Sequence, residues 1–222
     1  MVGEGDILSA GVRKCESAGL PGGTGGAMLE FGSPALPPSR SRTPPVSSYC
    51  DAAPGHPFHG PYHDHEYGFP LRGDAELLER LTLEIAQAGL SWLTILKKRE
   101  GYRRAFEGFD VDRVGGYGEA DRARLLADAG IVRNRLKVDA TIENARRIRA
   151  LRESHGSFAG WLDAHHPLPK AEWVKLFKRT FRFTGGEIVG EFLMSTGYLP
   201  GAHREDCPVQ ARILAAGPPW AR

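Results

Sequence analysis

Two histidines, two carboxylates and two tyrosines share residues 62–68, YHDHEYG. Histidine binds metals and carries protons near neutral pH, carboxylates accept charged hydrogen bonds, and tyrosine faces attract cations. A segment this dense calls for a metal, a charged ligand or both. The stretch GDAELLERLTLEIAQAG (73–89) holds a second candidate. At about 100° per residue, Leu77, Leu78, Leu81, Ile85 and Ala88 form one apolar stripe, and Glu84 falls at its edge. A carboxylate there is desolvated. It is either satisfied by a neighbouring arginine or backbone amide, or it awaits a cationic or hydrogen-bond-donating ligand. Trp92 follows within about two helical turns. An aromatic face beside a carboxylate is what a flat, positively charged ring requires, and Tyr62 and Tyr67 could supply further walls.

The cysteines point to a metal. Cys50 and His63 form C-x12-H, and His203 and Cys207 form H-x3-C. Two thiolates and two imidazoles suit a closed tetrahedral zinc site of the structural kind, with no position open for water. Spacing alone leaves His56, His59 and His65 as competitors beside Cys50. If the pairs meet, one ion closes a loop of about 140 residues and adds folding free energy directly. Cys15 is expected to be a free thiol.

These groups must be carried by helices. Asp74 is expected to cap the helix that bears Glu84, and Gly89 to end it. Helical periodicity recurs at about 91–107, 119–127, 135–153, 157–164, 171–180 and 185–196, with no sustained β alternation and no internal repeat. The fold is therefore expected to be all-α. Residues 1–46 carry nine glycines and six prolines, a composition that reads as a disordered leader before a domain at 47–210 and a flexible tail at 211–222. GLPGGTGGAM (19–28) has no preceding strand and no following Lys-Ser/Thr, so it reads as linker rather than a phosphate loop. Net charge is +2, so any nucleic-acid face must be local. Three cysteines, no secretory signal and no apolar run of about 18 residues point to a cytoplasmic protein without membrane contact.

YHDHEYG, LEIAQAGLSWLTILKKRE, DAGIVRNRLKVDATIENAR and the terminal H-x3-C together resemble the DNA-3-methyladenine glycosylase I family, from about residue 49 to 207. The resemblance implies a helix-hairpin-helix glycosylase that acts as a monomer on alkylated double-stranded DNA, flips out 3-methyladenine, hydrolyses its glycosidic bond and leaves an abasic site. It implies a structural zinc on Cys50, His63, His203 and Cys207, and a base pocket of Tyr62, Tyr67, Glu84 and Trp92, with Glu84 the catalytic residue and Glu66 nearby. Tyr67 stands where the family usually has tryptophan. The hairpin AGIVRNRLK (129–137) is expected to grip phosphate with backbone amides, Arg133, Arg135 and Lys137. Basic segments at 96–104 and 175–182 could add to the grip. Gly89 and Leu90 are candidates for the wedge that fills the gap left by a flipped base. Two other classes compete: a zinc-stabilised nucleic-acid-binding module without catalysis, in which Glu84 is replaceable, and a zinc hydrolase, which needs an open coordination position.

Overall fold

The computed structural model describes residues 48–222, and every regular element among them is helical. In chain order the helices are α1 (Tyr49–Ala52), α2 (His59–His65), α3 (Asp74–Gln87), α4 (Trp92–Ala105), α5 (Val111–Gly116), α6 (Glu119–Ala127), α7 (Arg135–His155), α8 (Phe158–His165), α9 (Lys170–Thr180), α10 (Gly186–Ser195) and α11 (Pro208–Ala215). The expected leader, with Cys15 and the glycine-rich stretch, lies outside the described residues.

The central element is α3. Its stripe of Leu77, Leu78, Leu81 and Ile85 is fully buried, but Glu79, Arg80, Thr82, Leu83, Glu84 and Ala86 are buried as well. Packing against α4, α7, α8 and α10 encloses the helix, so its charged residues lie in the interior. Asp74 is the first helical residue behind Gly73, not the cap expected of it. Its carboxylate instead accepts from the Phe158 amide at 2.8 Å and from Arg152 at 2.7 Å. That ties the start of α3 to α7 and α8. Gly89 follows the helix with a φ of +81°, a left-handed position suited to glycine.

The six later periodic segments stand as α4 and α6 to α10, whereas α1, α2, α5 and α11 are too short to display a helical period. The expected flexible tail is instead ordered. Residues 211–222 include the end of α11 and a 3-10 turn at Pro219–Ala221, with Ile213 and Pro219 buried. Val209 and Ile213, one helical turn apart, pack with Cys207 against Cys50 and Phe69, and the Trp220 amide donates to the Gly197 carbonyl at 3.1 Å.

The hairpin between α6 and α7 leans on α4. A Cβ at Gly101 would stand 2.3 Å from the Gly130 carbonyl oxygen, so only glycine permits this approach. The Tyr102 hydroxyl accepts from the Val132 amide at 3.2 Å, and Lys98 donates to the Ala129 carbonyl at 2.8 Å. Asn134 caps α7 by accepting from the Lys137 amide at 3.2 Å. Arg133 and Arg135 are exposed on this hairpin. Lys137 is not, which corrects its expected role on DNA: its ammonium is buried and donates to the Ala86 and Ala88 carbonyls at 2.9 and 2.6 Å. These carbonyls, at the end of α3, would otherwise lack partners.

Lys137→Met is accordingly expected to cost about 1–3 kcal/mol of stability by stranding those carbonyls. Denaturant unfolding measures the loss, and the salt dependence of DNA binding should stay that of the parent.

Candidate functional site

Helix α2 carries His63 and Tyr62, the latter bonded to Arg80 of α3, and the turn after it adds Glu66 and Tyr67. Their arrangement depends on Arg80, a buried residue one turn before Glu84. Arg80 Nη1 donates to Tyr62 Oη at 3.1 Å and to the Ser195 carbonyl at 3.3 Å, and Nη2 donates to Glu66 at 3.2 Å. Its guanidinium also lies over the Tyr62 ring, 4.9 Å from the centroid. Glu66 accepts two further bonds from Arg99, both at 2.6 Å, and Glu79 receives Arg99 and Arg103. Of the basic segment 96–104, Arg99 and Arg103 are thus engaged by interior carboxylates, while Lys97 and Arg104 are exposed.

Glu84 is 5% exposed. Among the described residues none donates a hydrogen bond to it, and its nearest cation, Arg80, has its donors directed elsewhere. Burial, reinforced by repulsion from Glu191 on α10, outweighs the attraction of Arg80 and lifts the Glu84 pKa from 4.5 to about 8. Of the arginine or backbone amide that could satisfy this carboxylate, neither is bonded to it among the described residues. Aromatic rings cluster near the group, close enough for its charge to act on three of them. Tyr62 meets Trp92 edge-on at 5.1 Å between centroids, and Tyr67 lies 5.6 Å from both Tyr62 and Tyr49. The Glu84 charge adds to burial in raising the hydroxyl pKa of Tyr49, Tyr62 and Tyr67.

Hydrogen-bond direction gives these tyrosines different roles. Tyr62 Oη accepts from Arg80, which leaves its own proton free to donate, whereas Tyr67 Oη donates to Glu191 Oε2 at 3.1 Å. The structure thus gathers Tyr62, Tyr67, Glu84 and Trp92 as expected, and adds Tyr49, Arg80 and Glu191. The sequence does carry a signal for Arg80, which precedes Glu84 at the i, i+4 spacing of helix neighbours. For Glu191 the signal is a lone carboxylate inside the apolar run IVGEFLM. Nothing marks Tyr49 beyond its place next to Cys50.

Cys50, His63, His203 and Cys207 also come together, with one ligand atom from each within 4.8 Å of the others. Cys207 Sγ is 3.7 Å from His63 Nε2 and 3.5 Å from His203 Nδ1, and Cys50 Sγ is 3.7 Å from His203 Nδ1. The opposite ring nitrogens are held in turn: His63 Nδ1 bonds Asp64 at 2.7 Å, and His203 Nε2 donates to the Tyr67 carbonyl at 2.8 Å. Lone pairs therefore face the thiols, and the four residues could hold a metal ion. His56, His59 and His65 stand outside the cluster; His59 bonds the Tyr49 hydroxyl at 3.1 Å through Nδ1, and its buried Nε2 has no partner among the described residues. Gly89 and Leu90 are exposed in the turn between α3 and α4.

A desolvated, unpaired carboxylate among aromatic rings on an all-helical scaffold suits a protein that handles a flat cationic base, and comparison with known proteins supplies the class. The family described as methyladenine glycosylase matches residues 52–171. DNA-3-methyladenine glycosylase 1 of Escherichia coli K12 is 36% identical over 160 residues, covering 64% of this chain and 86% of that protein. The Haemophilus influenzae DNA-3-methyladenine glycosylase is 34% identical over 166 residues, covering 66% and 89%. Among solved structures, 3-methyladenine DNA glycosylase I from Staphylococcus aureus shares 32% identity and superposes with a TM-score of 0.66 over 72% of this chain and 95% of that one. A 3-methyladenine DNA glycosylase I variant in complex with 3-methyladenine superposes at 0.67 with 32% identity, over 72% and 96%. The chain belongs to the DNA-3-methyladenine glycosylase I family and is a glycosylase.

Folded Glu84 keeps its proton to higher pH than the unfolded chain, so between 4.5 and about 8 the native state binds more protons and stability falls as pH rises. Glu84→Gln removes this slope. Its stability relative to the parent should increase across that window by on the order of 1–4 kcal/mol, as read by chemical unfolding at the two ends.

Proposed function

We propose that this glycosylase releases 3-methyladenine from alkylated double-stranded DNA by flipping the nucleotide out of the duplex, and that an abasic site remains. The observation that carries the reading is Glu84, buried without a donor among Tyr62, Tyr67 and Trp92. Methylation at N3 leaves adenine cationic, which weakens the glycosidic bond before the enzyme acts. Selective binding of the cation then contributes to catalysis directly. Glu84 is the residue that touches the base, accepting from its amino edge, while Tyr62 has a proton to give to a ring nitrogen. The aromatic faces stack on the positive ring. Water attacks C1′ as the sugar gains oxocarbenium character.

The duplex is gripped by the hairpin before α7, where Arg133 and Arg135 are exposed beside the helix N-terminus. Leu90, 39% exposed next to Gly89, fills the gap in the stack. Extrusion costs a few kcal/mol, least for a damaged base.

The Cys/His cluster fits zinc. Ligand bonds of about 2.3 Å to sulfur and about 2.0 Å to nitrogen give tetrahedral S···N edges of about 3.5 Å, and the measured separations are 3.5–3.7 Å. Four protein donors leave no coordination position for reacting water, which argues against a zinc hydrolase. Cys50, His63, His203 and Cys207 would hold the ion, and zinc there would add folding free energy by joining α1 and α2 to the segment before α11.

Incubating the protein with methylated DNA and identifying the released bases tests the reading; the expected product is free 3-methyladenine, and its absence refutes the proposal. Glu84→Gln should weaken binding of free 3-methyladenine by roughly 1.5–3 kcal/mol and leave affinity for unmodified duplex nearly unchanged. Cys207→Ser should lose zinc content and thermal stability together, while molecules that remain folded still release base.

A further inference from the structure

The base-reading role of Glu84 leaves a second carboxylate at the same site without a task. Glu191 on α10 is half-buried and accepts from the Tyr67 hydroxyl at 3.1 Å. Tyr67 is itself a wall of the site, 5.6 Å from the rings of Tyr62 and Tyr49. We propose that Glu191, acting through Tyr67, is a specificity-determining residue that restricts the site to purines carrying a formal positive charge. This inference rests on the base-site reading above.

Donor supply is the first argument. With its proton on Glu191, Tyr67 offers a ligand its ring face and an oxygen lone pair. Once ionised, Glu84 offers only acceptor oxygens, and among these three side chains and Tyr62 the Tyr62 hydroxyl then has the one proton left to donate. An acceptor-rich site suits a ring that has gained positive charge.

Charge is the second. The charged groups that act on Glu84 are Arg80 from its own helix and Glu191 from α10, and its charge acts in turn on Tyr49 from α1, Tyr62 from α2 and Tyr67 from the following turn. Arg80 directs its donors to Tyr62, Ser195 and Glu66, which leaves Glu84 and Glu191 without a bonded cation inside the site. Outside it, Lys170 on α9 attracts Glu191 while Glu187 repels it. A cationic purine relieves the repulsion between the two carboxylates. A neutral purine of the same shape displaces water and leaves the repulsion in place, so discrimination comes from the difference. The unpartnered, buried Glu84 is the independent sign that the site awaits such a ligand.

The test compares Glu191→Gln with the parent in binding two free ligands, a permanently charged 3,9-dialkylated adenine and neutral 9-methyladenine, by calorimetry across pH. The variant should bind the cation about tenfold more weakly, the size of a modest charge coupling, and the neutral purine as well as before. Because Glu84 must be ionised to hold the cation, affinity rises with pH. Loss of the like charge should move that rise to lower pH in Glu191→Gln, and Glu84→Gln should abolish it. Equal loss for both ligands with the midpoint unmoved would show a merely structural residue and overturn the proposal, as would unchanged affinity for the cation. Should the glutamine variant not fold, Glu191→Ser is read by the same ratio. If the parent releases no methylated base from DNA, the proposed function fails, whereas the role of Glu191 is judged by the ligand ratio alone.

Discussion

A guanidinium removed from water must place its donors on oxygen, and Arg80 places them on three segments at once. It reaches Tyr62 in α2, Glu66 in the next turn and the backbone of Ser195 at the end of α10. The consequence for Glu84 is indirect. A carboxylate one turn away on the same helix would ordinarily pair with that arginine. Here the competing oxygens hold the cation, and the carboxylate is left without a donor among the described residues. Arg99 and Arg103 complete the arrangement, so that three guanidiniums share Glu66 and Glu79 beside α3 and none of them bonds Glu84. Removing one partner from such a network is far more disruptive than replacing the whole network by apolar residues, which makes the set interdependent.

The same economy of contacts joins the Cys/His cluster to the aromatic site. Tyr67 is held at its carbonyl by His203, at its hydroxyl by Glu191 and at its ring by Tyr49 and Tyr62. His203 Nε2 thus orients a wall of the site while Nδ1 faces the thiols. Within YHDHEYG, His63 serves the cluster, Asp64 fixes its ring, Glu66 anchors two arginines, and Tyr62 and Tyr67 face Glu84.

The sequence displays the longer helices because their apolar period runs for several turns, and it displays Glu84 because a carboxylate out of phase with that period is conspicuous. The four cluster residues follow from two spaced pairs once a resemblance selects His63 among its neighbours. Other features depend on contacts that a single segment cannot show. Lys137 sits in a basic run, yet its length and position let it cap α3 from α7. Asp74 looks like a cap, but Arg152 and the Phe158 amide, 78 and 84 residues away, claim its carboxylate. Arg80 and Glu191 gain their meaning from partners on other helices. The order at the C-terminal end rests on a small apolar patch around Cys207 that composition alone conceals.

Tyr67 also sets a condition on the order of synthesis. Tyr62, Glu84 and Trp92 leave the ribosome early, but the residues that hold the Tyr67 hydroxyl and carbonyl, Glu191 and His203, follow 124 and 136 positions after it. A nascent chain therefore possesses the carboxylate and most of the rings long before Tyr67 is tethered. The hold on this ring arrives last, with the segment that brings His203 beside Cys50.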